Sequence, residues 1–173
     1  MSATLARAAI ENAAAGLWIL GPRQRNPRIE RVLRWHSRNY NDFQLFLDAA
    51  DRDTTAESDR NQNALEQIRT VARARGIDPT VATGGFRVTK PLIECSEFTD
   101  VPVYSTWQIT SGFAHGRPWA YHGFLERQNI TTGQQPTYRL SSRIEMTSYL
   151  PVQAMRLLME LLRMRDDRAG VFA

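Results

Sequence analysis

The stretch from Ala3 to Leu20 is alanine-rich and apolar on most of its sides. Such a run forms a helix readily, and Gly21-Pro22 end it. A helix that is apolar on most sides has to be surrounded by other elements, so the chain has to build a helical bundle around it. Glu11 and Asn12 are polar positions on this largely buried element, and each needs a partner in the bundle or a site to line. Arg7, Glu11 and Asn12 also interrupt the stretch. The uninterrupted apolar run from Ala13 to Leu20 is too short to span a bilayer, which predicts a cytoplasmic protein with no membrane partner.

The remaining punctuation is also helical. Asn26 as a cap and Pro27 in the first turn predict a second helix whose stripe is Ile29, Val32, Leu33, His36, Tyr40, Phe43 and Leu47. His36 is expected in the core or in support of a site. Thr54 to Glu57 reads as a capping box opening a third helix, with Leu65, Ile68 and Ala72 facing inward and Gly76 as its stop. Asp78 to Gly85 reads as loop, and a short helical turn near Pro91 carries Leu92, Cys95 and Phe98 onto the core. Tyr138, Leu140, Ser142, Ile144 and Met146 alternate with polar residues, predicting a hairpin that pairs 127–132 with 137–146. The last helix is expected to start near Pro151 and run to 165, apolar almost all round, as a central helix or as half of a homodimer interface. The expected fold is mainly α: a bundle of about five to six helices with a small β-hairpin near 127–146. At 173 residues, with no repeat and no long linker, residues 1–173 are read as one domain.

Charge narrows the function classes only a little. The net charge is +4, and Lys90 is the one lysine among 22 basic residues. Arg23, Arg25, Arg28, Arg31, Arg34 and Arg38 stand against Glu30 alone, and the stretch from Asp42 to Asp59 carries the opposite sign. That split suits either a phosphate-facing surface or the pairing of one segment with its neighbour. Cys95 is the one cysteine; it excludes an internal disulfide and reads as a small buried hydrophobe.

The segment opening at Pro102 carries the most chemistry. Tyr104, Trp107, Ser111, Ala114, His115 and Pro118 share one helical face, and Gly112 and Gly116 thin the helix beside them so that another backbone can approach. Pro118 removes a helical hydrogen bond and has to kink or end the helix. His115, His122 and Glu126 share a face only if the helix runs straight through Pro118. With no HExxH and no paired CxxC, neither a metal nor a cofactor is expected. Gly-x-Ser-x-Gly is absent, and Ala82-Thr83-Gly84-Gly85 lacks the lysine of a phosphate loop. What remains is histidine moving protons near neutral pH while arginine stabilises charge on a phosphodiester. Arg117 with His122 and Arg31 with His36 have the same spacing.

An early helix with Glu11-Asn12, a basic helix reaching Arg38-Asn39, and Tyr104-x-x-Trp107-x-x-x-Ser111-Gly112-x-x-His115-Gly116 together resemble uncharacterised helical proteins of actinobacterial type. More distantly, the chain resembles the HEPN superfamily of helical bundles, many of which are dimeric ribonucleases of toxin or phage-defence systems. That resemblance implies a metal-independent endoribonuclease or RNA-binding protein, a homodimer, with a cognate antitoxin or operon partner. It places catalytic roles on Arg117 and His122 with His115 nearby; Glu11, Asn12, Arg38, Trp107, Ser111 and Trp119 are the candidate binding residues beside them. Pro118 stands where the superfamily prefers Asn, Asp or His, and no histidine follows Arg38-Asn39. The alternative is a non-catalytic dimeric interaction or ligand-binding module, in which Glu11, Ser111 and His115 form a buried polar network.

Overall fold

A computed structural model describes residues 3–170. They form a mainly α fold with one small antiparallel hairpin. The helices are α1 (Ala3–Leu20), α2 (Arg25–Asp48), α3 (Thr55–Ala74), α4 (Pro79–Thr83), α5 (Thr89–Glu94), α6 (Val103–Ala114), α7 (Pro118–Phe124) and α8 (Ile144–Ala169). Strands β1 (Leu125–Asn129) and β2 (Tyr138–Ser142) lie between α7 and α8. Among the described residues eight α-helices stand where about five to six were expected. Two of the additions are α4, in a segment read as loop, and α7, which follows a break rather than a kink. The chain's contacts divide into two compact units, 18–90 and 3–17 with 91–170.

The unit of residues 18–90 is held by Leu33, Leu65, Ile68, Ala72 and Ala82, with Ile29, Tyr40 and Ile77 packed against them. Its helix caps differ from the expected ones for clear local reasons. Helix α2 begins at Arg25, and Asn26 donates its amide to the Arg75 carbonyl at 3.3 Å instead of capping its own helix. The box expected at Thr54 is replaced by Asp53, whose Oδ1 accepts from the Thr55 N–H at 3.0 Å and the Thr55 hydroxyl at 2.7 Å. Those two bonds hold the Asp53 carboxyl below the usual carboxylate range. Helix α4 forms because Asp78 caps it, accepting from the Thr80 N–H at 2.8 Å, and Pro79 fits its first turn.

The basic stripe of α2 is spent largely inside this unit. Arg34 Nε donates to the Gly85 carbonyl at 2.9 Å, Arg38 Nη1 to the Phe86 carbonyl at 2.7 Å, and Ser37 Oγ to the Thr83 carbonyl at 2.7 Å. The Phe86 ring stacks on Trp35 with centroids 5.6 Å apart. His36, expected in the core or beside a site, is exposed.

The other unit buries Ile10, Ala13, Ala14 and Leu17 of α1 against Leu92, Cys95, Val101, Val103, Ala154 and Leu157. Burial pushes the Cys95 thiol up to about 12. The hairpin pairs Leu125 with Ser142, Arg127 with Leu140 and Asn129 with Tyr138; its first strand begins two residues before the expected 127–132 and its second lies inside the expected 137–146. Ile144 and Met146, read as strand, open α8 instead. That helix starts seven residues before Pro151 and carries the proline inside it. No helix among the described residues is long and apolar enough to cross a membrane.

Candidate functional site

Helix α6 stops where its backbone turns left-handed. Gly116 adopts φ +62°, a conformation that side chains with a Cβ rarely take. Two hydrogen bonds close the end: Gly116 N–H to the Phe113 carbonyl at 3.2 Å, and Arg117 N–H to the Gly112 carbonyl at 2.9 Å. This is a Schellman ending, with His115 as the C-cap. Pro118 then takes the first position of α7, where a missing N–H costs nothing. Thus His115-Gly116-Arg117-Pro118 is a stop and restart. It puts His115 at the end of one helix and Arg117 at the cap of the next.

The turn folds α7 back on α6. A Cβ added to Gly112 would lie 2.6 Å from Trp119 Cζ2 and 2.9 Å from Ala120 Cβ, so the missing side chain makes room for the indole and the start of α7. The close approach expected at this glycine is therefore made chiefly by an aromatic side chain. Phe124 meets Trp119 edge-on, centroids 6.2 Å apart, and the Tyr121 hydroxyl donates to the Phe113 carbonyl at 3.3 Å. Trp119 stays 51% exposed, held by its floor and its edge rather than by enclosure.

Beside this pair runs an open groove of about 500 Å³, bordered by Trp107, Gln108, Ser111, His115, Arg117 and Trp119. Its far wall is tied to α1. The Trp107 indole N–H donates to Glu11 Oε1 at 2.6 Å, and Arg7 Nε donates to the same oxygen at 2.9 Å. The Arg7 guanidinium sits 5.7 Å from the Trp107 ring centroid, and its Nη1 lies 2.8 Å from His115 Nε2. Tyr104 stacks on Trp107 at 5.9 Å.

Five of the nine expected site residues, Trp107, Ser111, His115, Arg117 and Trp119, therefore border one groove. Glu11 supports it from behind, through Trp107 and Arg7. Asn12 is occupied within its own helix, donating to the Ala8 carbonyl at 2.8 Å. His122 is exposed in the last turn of α7 and does not border the groove. Arg38 belongs to the unit of residues 18–90, where it binds the Phe86 backbone. The expected link between Glu11 and His115 exists, but it passes through Arg7 and is partly exposed rather than buried. Arg7 itself was missed, because a lone arginine on an alanine-rich helix reads as an interruption and its partner lies 108 residues away. Among the described residues no three His, Cys, Asp or Glu side chains gather as metal ligands.

No protein-family model matches the chain, and comparison with curated proteins and with solved structures finds no match.

Proposed function

We propose that the chain is an HEPN-like RNA-binding protein that takes single-stranded RNA in this groove, with a base on the Trp119 indole and a phosphate on the Arg117 guanidinium. The observation that carries the reading is the half-exposed Trp119 fixed over Gly112 in a groove it shares with Arg117 and His115. Single strands offer unstacked bases, and an aromatic ring beside a cation is the usual means of holding them. A fixed platform loses little freedom when a base settles on it. Because His122 lies away from the groove, the geometry favours binding over a cleavage site built from all three expected residues.

Fluorescence anisotropy with a labelled oligoribonucleotide tests the reading. Trp119→Ala is expected to weaken binding about 5- to 150-fold, the equivalent of about 1–3 kcal/mol of stacking. Arg117→Ala is expected to lower the salt slope by about one. Equal affinity in the wild type and Trp119→Ala refutes the site. Cellular RNA incubated with the protein in chelator is expected to stay intact; cleavage that disappears in His122→Ala would replace binding with the ribonuclease reading.

Self-association is proposed as well, on a separate observation. Helix α8 exposes Val152, Met155, Met159 and Leu162 at helical spacing, an apolar row suited to pairing with a second copy. Sedimentation velocity is expected to show a dimer that Met159→Glu dissociates; a wild-type monomer at all concentrations contradicts the pairing.

A further inference from the structure

Arg7 meets the groove directly at His115, and the chemistry of that contact has a definite direction. A guanidinium carries five N–H donors and no acceptor, and it keeps its proton throughout the accessible pH range. With Arg7 Nη1 at 2.8 Å from His115 Nε2, the imidazole nitrogen has to be the acceptor. Nε2 therefore carries the lone pair, and the ring proton of the neutral imidazole sits on Nδ1. Solvated neutral imidazole side chains favour the opposite tautomer, so the arrangement is imposed. Glu11 supplies the imposition: one carboxylate oxygen accepts from both Arg7 Nε and the Trp107 indole, at 2.9 and 2.6 Å, and so holds the guanidinium against the groove wall.

We infer that Arg7 is a positioning residue which, anchored by Glu11, locks His115 as the Nδ1–H tautomer, so that His115 serves the groove as a hydrogen-bond donor to an RNA oxygen. The role assigned to the ligand rests on the RNA-binding reading; the tautomer does not. The consequence for chemistry is specific. The nitrogen that could act as a base is already occupied by Arg7, and the nitrogen left over for a ligand offers an N–H. A phosphate or carbonyl oxygen accepts well from that donor, and a phosphate oxygen also pairs with the cation of Arg117 on the same groove.

The test is a long-range proton–nitrogen correlation spectrum of histidine-labelled protein at about pH 8, where histidine is ordinarily neutral. His115 is expected to show the Nδ1–H pattern, while exposed His36 and His122 serve as internal references. Arg7→Ala is expected to move His115 to the Nε2–H pattern, and Arg7→Lys, which keeps a donor, to restore part of the original. Arg7 is partly exposed on a helix held by other residues, so a thermal melt checks that both variants remain folded. An Nε2–H pattern in the wild type overturns the inference, as does a His115 pattern that Arg7→Ala leaves unchanged. In the same samples, RNA affinity is expected to fall about 3- to 10-fold in Arg7→Ala, the loss of one donor bond. No RNA binding by the wild type would refute the ligand and leave the tautomer standing; an affinity indifferent to Arg7 would refute the donor role.

Discussion

Replacing Gly112 by alanine probes the feature that builds the groove. The new methyl would stand 2.6 Å from Trp119 Cζ2 and 2.9 Å from both Trp119 Cη2 and Ala120 Cβ. Carbon atoms in ordinary contact sit about 3.5–4.0 Å apart, so the indole edge has to retreat by about 1 Å. Ala120 is fully buried on the α7 backbone, so rotating one side chain cannot relieve the whole clash. Overpacking of this kind costs about 1–3 kcal/mol, and disturbing the edge-on contact between Trp119 and Phe124 adds part of about 0.5–1.5 kcal/mol. Against this stands about 1 kcal/mol gained by replacing a helical glycine. The net expectation is a loss of about 1–2 kcal/mol, a fall in Tm of about 2–8 °C for a chain of this size. Gly123→Ala is the control: nothing lies within 4 Å of its added Cβ, so it is expected to raise Tm slightly. Circular dichroism melts of both variants, with tryptophan emission recorded alongside, measure the difference. In a Trp119→Ala background the Gly112→Ala penalty is expected to shrink, since the main clash has gone. A Gly112→Ala protein as stable as Gly123→Ala would show that the indole does not rest on this glycine.

Three further outcomes follow from the same structure. Cys95 is fully buried and its thiol is pushed up to about 12, so native protein at mild alkaline pH is expected to resist thiol reagents that react at once in denaturant. Because the folded value lies above the ordinary 9.0, the stability tied to the protonated thiol is complete below about pH 9 and is lost as pH rises toward 12; urea titrations of Cys95→Ala are expected to lack that component. Arg38→Ala is expected to lower stability by about 1–2 kcal/mol through loss of its bond to the Phe86 carbonyl, and to leave RNA affinity nearly unchanged. A stable Arg38→Ala variant with lost affinity would move binding onto α2.

Much of this fold is readable along the chain, and the places where it is not have local physical causes. Helix α1 ends where Gly21-Pro22 says it must, and Leu92 and Cys95 are buried on a short helical turn as their spacing requires. Pro151 looks like a helix start, but Thr147 and Ser148 bond back to the carbonyls of Arg143 and Ile144 in a helix already under way. Ile144-x-Met146 is too short a run to distinguish a period of two from one of 3.6. Helix α4 carried its own signature in Asp78-Pro79, which the nearby glycine pair obscured.

The site divides in the same manner. Glu11 was detectable because a carboxylate on an apolar helix needs partners, and Trp107 and Arg7 supply them. The bearing of Pro118 was settled by Gly116, since a glycine at the C′ position followed two residues later by proline marks a stop and restart. Arg7 could not be found that way, because its role depends on a side chain brought near only by the folded α6.

The groove can be tested through its own reporters. The chain has four tryptophans: Trp107 and Trp119 border the groove, while Trp18 and Trp35 belong to the unit of residues 18–90. In a nitrogen–proton correlation spectrum titrated with a short single-stranded RNA, the indole signals of Trp107 and Trp119 are expected to shift saturably while those of Trp18 and Trp35 stay in place. Shifts confined to Trp18 and Trp35, or no shift at any indole, would contradict the assignment of this groove to RNA.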